Sequence, residues 1–550
     1  MVVFTSHFKP VEEPQMGTME FLFKNHFDIP DKRPLFIDFL TGEKLTYGDF
    51  KDQILQFAAG LQDKHSFTKG DVMLIYAPND YKYTVPLMGA VAAGGATSPA
   101  NPNYTVHELV HQLKLTQAKV MIAHVDNIDN ALEAAKEVGL PKKNIYVFGY
   151  KALQGCLPFL ALMGSRRAEL VHLTPEESKE LPAYLCFSSG TTGPSKGVIT
   201  THANMNVNLL QYCASDGPFI DGKNDCTFAT LPFFHVFALT NILHLAFYIG
   251  TPVYVLKRFH LETVCKLIES KKISFGYMVP PILLQIVKEP VAQKYDLSSV
   301  KWIQCAAAPL APELLTALKA RLPTCAVKQA YGLTETSPVA TSEIPNDTRP
   351  GSVGYLLPNM TAKLVNEDGK EVGYDERGEI WLKGPNIMKG YIRNPQATAD
   401  AIDKDGYFHT GDVGVVDKEN RFYIVDRLKE LIKYKGFQVP PAELEALLLK
   451  SPDVADAAVI GVYDPEQATE IPTGYIKVAP NVPKTKETSD RIKKFVADKV
   501  VSYKQIRNLI FLDVIPKSES GKILRRVLRT EANEAVKAKI AAKAESSARL

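Results

Sequence analysis

The chain has 550 residues, of which 45% are apolar and 23% charged, as in a globular protein with a substantial core. At roughly 150 residues per domain, this length predicts two to four structural units. The net charge is only +3, from 64 basic and 61 acidic side chains, so we expect no nucleic-acid partner. Seven cysteines without a Cys-x-x-Cys pair exclude a disulfide framework and a cysteine-built zinc site.

Helical and strand-like segments alternate through the first 425 residues. They are the amphipathic run Ile54 to Leu61, the apolar run Val72 to Ala77, the helical run Val85 to Ala93, and strand candidates Val120 to His124 and Ile145 to Phe148. This alternation is typical of parallel strands joined by helical crossovers, which is an α/β architecture.

The most apolar window, Val236 to Leu256, is long enough for a membrane span, but polar and turn residues interrupt it. We expect a buried helix, a turn and a buried strand there, and no membrane span. The first ten residues also lack the build of a secretory signal.

Short alternating runs follow at Glu379 to Lys383, Val413 to Asp417 and Phe422 to Val425, and they predict an antiparallel meander or barrel. A new unit begins near Asp426, with helices from Pro440 and Ser489 and strands near 457–462, 475–478 and 508–514. The expected fold is therefore α/β: a large N-terminal domain over 1–425, with sheets and a barrel-like part, and a small mobile α+β domain over 426–550.

A glycine-rich loop carries the strongest chemical signal. It follows the apolar strand candidate Ala183 to Phe187 and reads Ser188, Ser189, Gly190, Thr191, Thr192, Gly193, Pro194, Ser195 and Lys196. Glycines allow the backbone to approach a ligand, and hydroxyls and main-chain N–H groups can surround phosphate oxygens. The order of residues differs from a Walker A loop, so we predict a phosphate site outside the kinase and GTPase class.

This loop resembles the phosphate-binding signature of the adenylate-forming superfamily, which includes acyl-CoA synthetases, peptide-synthetase adenylation domains and luciferases. Further matching motifs lie in order at Gln329 to Glu335, Tyr407 to Asp412, Asp426 to Val439 and Pro516 to Lys522. The resemblance extends from about residue 30 to 530 and is nearest to the 4-coumarate–CoA ligase branch. It implies an enzyme that joins a carboxylate to AMP from ATP, with Mg²⁺, and then transfers the acyl group to coenzyme A.

The resemblance also implies residue roles in the first step. Glu335 would ligate Mg²⁺, Asp412 would accept the ribose hydroxyls, and Lys522 would bridge the carboxylate and the α-phosphate. We expect Asp412 to lie in a Gly-Asp turn between strands. His235 would position the acyl carboxylate, without acting as a base, because the acid is already ionised near neutral pH. The remaining nucleotide contacts would come from Ser188, Ser189, Gly190, Thr191, Thr192, Gly193, Lys196, Gln329, Ala330, Tyr331, Gly332, Thr334 and Arg427.

The second step would use the C-terminal unit in a rotated state, after Lys522 has withdrawn. By resemblance, Lys435, Gly436 and Phe437 would contact coenzyme A, and Lys433 and Gln438 would assist thioester formation. Lys429 is the best-matched hinge residue, with Asp426 second, since a hinge needs only a residue or two to absorb the rotation.

The acyl pocket is predicted between the helix after His235 and the strand ends near Cys305 and Gln329. Its candidate lining residues are Phe237, Asn241, Met278, Ala306, Ala307, Ala330 and Gly332. Such a lining suits an aromatic, phenylpropanoid or medium-chain acid.

An alternative enzyme of the superfamily would load a carrier protein, or oxidise its adenylate as luciferases do. The last residues, Ala548, Arg549 and Leu550, match the pattern of a peroxisomal address, so we expect peroxisomal import through its receptor, or otherwise a cytoplasmic location.

Overall fold

The computed structural model describes residues 2–188, 194–306, 310, 312–366, 368–427, 432–439, 441–516, 523, 525, 527–534 and 536. The chain divides into two compact units. The first comprises Met1–Ser188, Lys196–Met278 and Gln285–Leu428, and the second comprises Ser189–Ser195, Val279–Leu284 and Lys429–Leu550. The roles predicted for the two domains stay predictions.

The first unit contains both strands and helices. In chain order its strands are β1 (Phe4–Thr5), β2 (Pro34–Asp38), β3 (Lys44–Thr46), β4 (Val72–Tyr76), β5 (Ala96–Ala100), β6 (Val120–His124), β7 (Ile145–Phe148), β8 (Leu157–Pro158), β9 (Pro182–Ser188), β10 (Lys196–Thr201), β11 (Thr227–Ala229), β12 (Val253–Val255), β13 (Phe275–Met278), β14 (Trp302–Cys305), β15 (Ala326–Gly332), β16 (Val339–Ser342), β17 (Tyr355–Leu356), β18 (Thr361–Val365), β19 (Glu371–Val372), β20 (Gly378–Lys383), β21 (Gly390–Tyr391), β22 (Phe408–Val416) and β23 (Phe422–Arg427). The strands of the second unit are β24 (Ile432–Tyr434), β25 (Phe437–Val439), β26 (Val454–Asp464), β27 (Thr469–Val478) and β28 (Asn508–Phe511).

The helices of the chain, in order, are α1 (Thr18–Phe23), α2 (Tyr47–His65), α3 (Thr84–Ala92), α4 (Val106–Thr116), α5 (Ile128–Val138), α6 (Pro175–Glu180), α7 (His202–Asp216), α8 (Val236–Ala238), α9 (Leu245–Ile249), α10 (Leu261–Lys271), α11 (Pro280–Lys288), α12 (Pro312–Arg321), α13 (Pro395–Ala401), α14 (Pro441–Leu448) and α15 (Lys486–Ala497). Capping boxes begin several of them. Thr46 with Asp49 caps α2, and Thr105 with Glu108 caps α4. Each side chain satisfies a main-chain N–H that the first turn would otherwise leave unpaired.

The predicted α/β pattern is confirmed by the largest sheet, whose order is β21-β10-β9-β5-β4-β6-β7-β8. Its strands β5, β4, β6 and β7 are parallel, and helices connect them. A second sheet, β13-β14-β15-β16-β17, and a small sheet, β11-β12-β2-β3, complete the α/β part. In such sheets ligands bind beyond the carboxyl ends of the strands, so the loops after β4, β9, β13, β14 and β15 are the places to search for a site.

The predicted antiparallel part is also confirmed. Strands β1, β18, β20, β22 and β23 form an antiparallel sheet, with β19 paired to β18. The strands are longer than the sequence pattern predicted, because β22 runs back to Phe408 and takes in the motif residue Asp412.

The apolar window at Val236 to Leu256 forms α8, a π-helical turn (Leu239–His244), α9 and β12, as predicted. Gly250 ends α9 in the left-handed conformation, with a φ of 82°. No helix in the described part of the chain is long and apolar enough to cross a membrane.

The second unit packs α14 and α15 against the antiparallel pair β26 and β27, to which β28 adds in parallel. Its core contains the fully buried Val439, Leu444, Val459, Ile476 and Ile492. The hairpin of β24 and β25 contributes Ile432 and Val439 to this core, so one face of the hairpin is anchored in the unit.

Candidate active site

A buried carboxylate organises the region beyond β9 and β15. Glu335 lies in a short helical turn, Thr334–Thr336, directly after β15, and its side chain is 7% exposed. The Ser188 hydroxyl at the end of β9 donates to Glu335 Oε1 over 2.9 Å, and the Tyr391 hydroxyl donates to the same oxygen over 2.9 Å. Residues far apart in the chain therefore meet at one carboxylate oxygen.

Lys196 lies next to this cluster. It pairs with Ser188 across β9 and β10, and its ammonium group lies 4.8 Å from the centre of the Tyr391 ring. Burial and the neighbouring Glu335 raise the pKa of the Tyr391 hydroxyl far above its usual value, so it remains a hydrogen-bond donor. The strands hold Ser188 and Lys196 at the two ends of the glycine-rich loop. The loop residues Ser189, Gly190, Thr191, Thr192 and Gly193 lie outside the described residues.

The carboxylate of Glu335 fits the predicted magnesium ligand. Both hydroxyls bond to Oε1, so Oε2 accepts no hydrogen bond from the described residues. A hard carboxylate oxygen suits Mg²⁺, which commonly takes one or two protein carboxylates beside phosphates and waters. Within the described residues no three metal-binding side chains cluster.

The segment Gln329 to Gly332 forms the end of β15. The Tyr331 hydroxyl donates to Asp412 Oδ2 over 2.8 Å, which joins this strand to the antiparallel sheet. A side chain at Gly332 would place its Cβ 1.9 Å from the Pro338 carbonyl oxygen, so glycine is required by this close approach. Ala330 is buried, and Thr334 is half-buried at the same edge.

The expectation that Asp412 lies in a turn is wrong. It lies inside β22, is 1% exposed and pairs in register with Arg427 on β23. Gly411, just before it, has a φ of 71° and supplies the irregularity that the sequence suggested as a turn. The strand thus fixes Asp412 in a buried position, held to Tyr331.

His235 lies at the start of α8, where its Nδ1 accepts a hydrogen bond from the Phe237 N–H over 3.4 Å. The imidazole is solvent-accessible, yet the protein around it is dense enough that desolvation lowers its pKa to about 4. The ring is neutral at pH 7, with its proton on Nε2, which suits positioning better than proton abstraction.

The predicted acyl-pocket residues come from three neighbouring strand ends and one helix. Met278 ends β13, Ala306 follows β14, and Ala330 lies near the end of β15. Residues Met278, Cys305 and Gln329 stand side by side in register, so these ends are adjacent. Ala307 lies outside the described residues.

Phe237 packs against Tyr277 of β13, with ring centres 5.8 Å apart. Asn241, in the π-helical turn, is 1% exposed, and neither of its amide atoms makes a hydrogen bond of normal geometry within the described structure. The amide still lies near enough to the Tyr212 hydroxyl to influence its pKa. The Phe237–Tyr277 contact therefore joins α8 to β13.

Sequence reasoning missed Tyr391 and Asn79. Asn79 follows β4, and its amide donates to the Leu231 carbonyl over 2.9 Å and accepts from the Phe233 N–H over 2.8 Å. It thereby holds the segment that leads to His235. A polar residue three positions after a buried strand was the signal that could have identified Asn79, whereas nothing local distinguishes Tyr391 from a packing tyrosine.

In the second unit, the predicted coenzyme A residues form the hairpin of β24 and β25. Lys435 and Gly436 occupy its turn, with φ values of 50° and 84°, and Lys433 pairs with Gln438. Phe437 stacks on Tyr503, with ring centres 4.1 Å apart. Two positive φ angles in a two-residue turn fit the twist of a hairpin and favour glycine at the second position.

The Thr469 hydroxyl fixes this hairpin. It accepts from the Lys435 N–H over 2.6 Å and donates to the Lys433 carbonyl over 2.8 Å. The Glu470 carboxylate also accepts a hydrogen bond from the Lys433 N–H, over 2.6 Å.

Several predicted residues are not located. Lys522, Lys429, Ala548, Arg549 and Leu550 lie outside the described residues. For Asp426, Arg427 and Gln438, the structure describes the strand positions and not the side chains.

Two protein-family models match successive parts of the chain. The family model of the AMP-binding enzymes matches residues 25–392, and the model of the AMP-binding enzyme C-terminal domain matches residues 443–522. The chain is 37% identical over 538 residues to 4-coumarate–CoA ligase 3 of Oryza sativa subsp. japonica, covering 96% of this chain and 95% of that protein.

Two solved structures have the same fold. The amide bond synthetase McbA of Marinactinospora thermotolerans superposes with a TM-score of 0.81 at 22% identity, covering 94% of this chain and 99% of that one. The o-succinylbenzoate CoA synthetase of Bacillus subtilis, solved as a double mutant with a product analogue, has a TM-score of 0.77 at 25% identity, covering 93% and 98%. The chain therefore belongs to the AMP-binding enzyme family, the adenylate-forming superfamily that its motifs resemble.

Proposed function

We propose that the protein is an AMP-forming, ATP-dependent carboxylate–CoA ligase. The carboxylate and ATP would give acyl-AMP and pyrophosphate, and acyl-AMP and coenzyme A would give acyl-CoA and AMP. The observation that carries the proposal is the meeting of Ser188, Lys196, Tyr391 and Glu335 beside the Tyr331–Asp412 pair. Adenylation needs a cation, an acceptor for the ribose diol, and a carboxylate that can hold Mg²⁺; among the described residues no donor bonds to Glu335 Oε2. The 4-coumarate–CoA ligase relatives support coenzyme A as the acceptor.

In the first step a carboxylate oxygen bonds to the α-phosphorus while the bond to pyrophosphate breaks. Lys196 and the loop offset phosphate charge, and Lys522 bridges the two reacting groups. Glu335 would hold Mg²⁺, which balances charge on the phosphates. Asp412 accepts the ribose hydroxyls, because a carboxylate has two acceptor oxygens for a diol. His235, neutral at pH 7, orients the acid.

In the second step the coenzyme A thiolate attacks the acyl carbon, a tetrahedral intermediate collapses, and AMP leaves. Lys435, Gly436 and Phe437 bring the pantetheine arm to the acyl group, and Lys433 and Gln438 assist. Most of the gain in rate comes from positioning, since the adenylate is already activated. No cysteine nucleophile of the protein is required in this step.

We propose an aromatic acid, of phenylpropanoid type, as the substrate, with medium-chain fatty acids as the next candidates. Support comes from the apolar surroundings of Phe237, Met278, Ala306 and Ala330, and from the names of the relatives. The comparisons lend no support to the carrier-protein or luciferase-like alternative, which we do not propose. Peroxisomal import through Ala548 to Leu550 stays a prediction.

The test is to incubate the protein with ATP, Mg²⁺ and a panel of aromatic and fatty acids, with and without coenzyme A. Mass spectrometry should detect acyl-CoA and AMP when coenzyme A is present. Lys522→Ala should lower acyl-AMP formation by at least about 100-fold, because it removes a charge that acts on the transition state. Lys477→Ala, an exposed lysine of the same unit, serves as the matched control.

Acyl-AMP without any thioester would overturn coenzyme A as the acceptor and leave the adenylation step standing. The absence of AMP with every acid of the panel would contradict the proposal as a whole.

A further inference from the structure

Glu343 lies at the point where β15 changes partners. The first residues of β15 pair in parallel with β14, up to Gln329 opposite Cys305. From Ala330 onward, the strand pairs antiparallel with β16, which ends at Ser342. Gln329 is therefore the last residue of one ladder, and Glu343 directly follows the strand that forms the other.

The carboxylate of Glu343 completes the main-chain bonding at this point. Its own N–H donates to the Gln329 carbonyl over 3.0 Å, and its Oε2 accepts from the Gln329 N–H over 2.8 Å. Its Oε1 accepts from the Arg349 N–H over 2.6 Å, and the residue is 1% exposed. One buried side chain thus holds the strand at Gln329 and the loop at Arg349 together.

This arrangement requires the charged form of Glu343. Two N–H donors face its two oxygens, and an ionised carboxylate can accept from both. A protonated carboxyl carries a hydrogen on one oxygen, so one of the two N–H groups would lose its acceptor. Burial raises the pKa of Glu343 to about 7, against the lowering effect of these hydrogen bonds.

Charged groups surround Glu343 from each neighbouring element. Lys328 of β15 donates to the Glu343 carbonyl over 2.9 Å and is itself paired with the buried Asp216 of α7. Arg421, which lies before β23 and is paired with Asp347, also acts on the Glu343 carboxylate, whereas the side chain of Arg349 pairs with Asp417 and Glu419. The nearby positive charges favour the ionised carboxylate and so oppose the effect of burial.

We propose that Glu343 is a positioning residue for the nucleotide, and that its protonation weakens ATP binding by releasing the strand at Gln329. This inference rests on the proposed function, because it takes Gln329 to Tyr331 as the segment against which the nucleotide lies. Tyr331 is two residues beyond the held N–H and bonds to Asp412, so a shift of the strand moves both. Glu343 itself touches no substrate.

The test is to measure the dissociation constant of ATP by titration calorimetry between pH 6 and 8, for the wild type and Glu343→Gln. Glutamine presents one acceptor, and its NH₂ group faces the second N–H donor. At pH 8 we expect the variant to bind ATP roughly tenfold more weakly, the effect of one lost charge-assisted hydrogen bond. The ratio of the two constants should fall toward about 1 at pH 6, because the wild type is then protonated. ATP's own titration affects both proteins equally and cancels in this ratio.

Stability provides the readout that separates positioning from general damage. The pKa of Glu343 is raised from 4.5 to about 7 in the folded chain, so its contribution to stability is fully present below pH 4.5 and is lost as pH rises through 7. The neutral variant avoids this burial of charge, so its melting temperature at pH 8 should not fall. Asp225→Asn is the matched control, because Asp225 is also buried, accepts the Asp221 N–H and pairs with Lys301. It should change neither the ATP dissociation constant nor its pH dependence.

The proposal would be overturned if Glu343→Gln bound ATP at pH 8 with a dissociation constant within twofold of the wild-type value. It would also be overturned if the ratio of the two dissociation constants did not change with pH. A fall in melting temperature with equal losses of affinity for ATP and for the acid would overturn it as well. ATP binding that behaves as expected in a protein without ligase activity would instead refute the proposed function alone.

Discussion

In the first unit the strand that carries Tyr331 is held by the buried carboxylate of Glu343, whereas in the second unit the hairpin at Lys435 is held by the hydroxyl of Thr469. Both groups bond to main-chain atoms beside predicted substrate contacts. The carboxylate is ionisable and lies among other buried charges, whereas the hydroxyl is neutral and needs no counter-charge. The two regions should therefore respond differently to pH and to substitution.

The nucleotide region and the hairpin also differ in the elements that surround them. The nucleotide region gathers its polar groups from β9, β10, β15, β21 and β22, so its geometry depends on the packing of a large unit. The hairpin takes its main-chain hydrogen bonds to side chains from Thr469 and Glu470 of one strand, β27, and its other neighbours, such as Tyr503, belong to the same unit. A change at the hairpin should affect one half-reaction, while a change at Glu335 should affect the first step and everything after it.

The largest effect is expected from Glu335→Ala. Loss of the predicted magnesium ligand and of the acceptor for Ser188 and Tyr391 should lower kcat/KM for acyl-AMP formation by about 100-fold or more. Initial rates of pyrophosphate release across a range of Mg²⁺ concentrations would measure it, and the concentration of Mg²⁺ at half-maximal rate should rise. Glu289→Ala, an exposed acid of the same unit, is the control. A loss below about tenfold with an unchanged Mg²⁺ requirement would rule out the assigned role.

An intermediate effect is expected from Thr469→Val, which keeps the shape of the side chain and removes both hairpin bonds. At about 1 kcal/mol for each hydrogen bond, the KM for coenzyme A should rise roughly five- to 30-fold. Acyl-AMP formation in the absence of coenzyme A should not change. Thr473→Val is the matched control, because among the described residues the Thr473 hydroxyl bonds only to the Ile471 carbonyl of its own strand. Equal losses in the two half-reactions would show that the hairpin has no separate part in the second one.

The smallest effect is expected from Tyr391→Phe. The aromatic ring next to Lys196 remains, and only the hydrogen bond from the Tyr391 hydroxyl to Glu335 is lost. The kcat/KM for adenylation should therefore fall about fivefold. Tyr374→Phe provides the comparison, since the Tyr374 hydroxyl is exposed and bonds to Asn420. Steady-state rates at saturating acid measure the change. A loss as large as that of Glu335→Ala would mean that the Tyr391 hydroxyl orders the whole cluster.

Local sequence patterns determined much of this protein. The alternation of strands and helices in the first unit, the buried run at Val236 to Leu256 and the antiparallel part all follow from periodicity and turn residues, and the structure agrees with them. The motifs predicted the family as well, because each concentrates unusual residues within a few positions. Such signals are readable because the physical constraint acts between near neighbours in the chain.

Tertiary structure alone decided which groups meet. Ser188 and Glu335 are 147 residues apart, and Tyr331 and Asp412 are 81 apart, so no local period links them. The position of Asp412 inside a strand, the hydroxyl of Tyr391 and the bonds of Thr469 likewise depend on partners from other strands. Glu343 is the clearest case, because its environment exists only after β15 has passed from β14 to β16 and burial has removed water from its carboxylate.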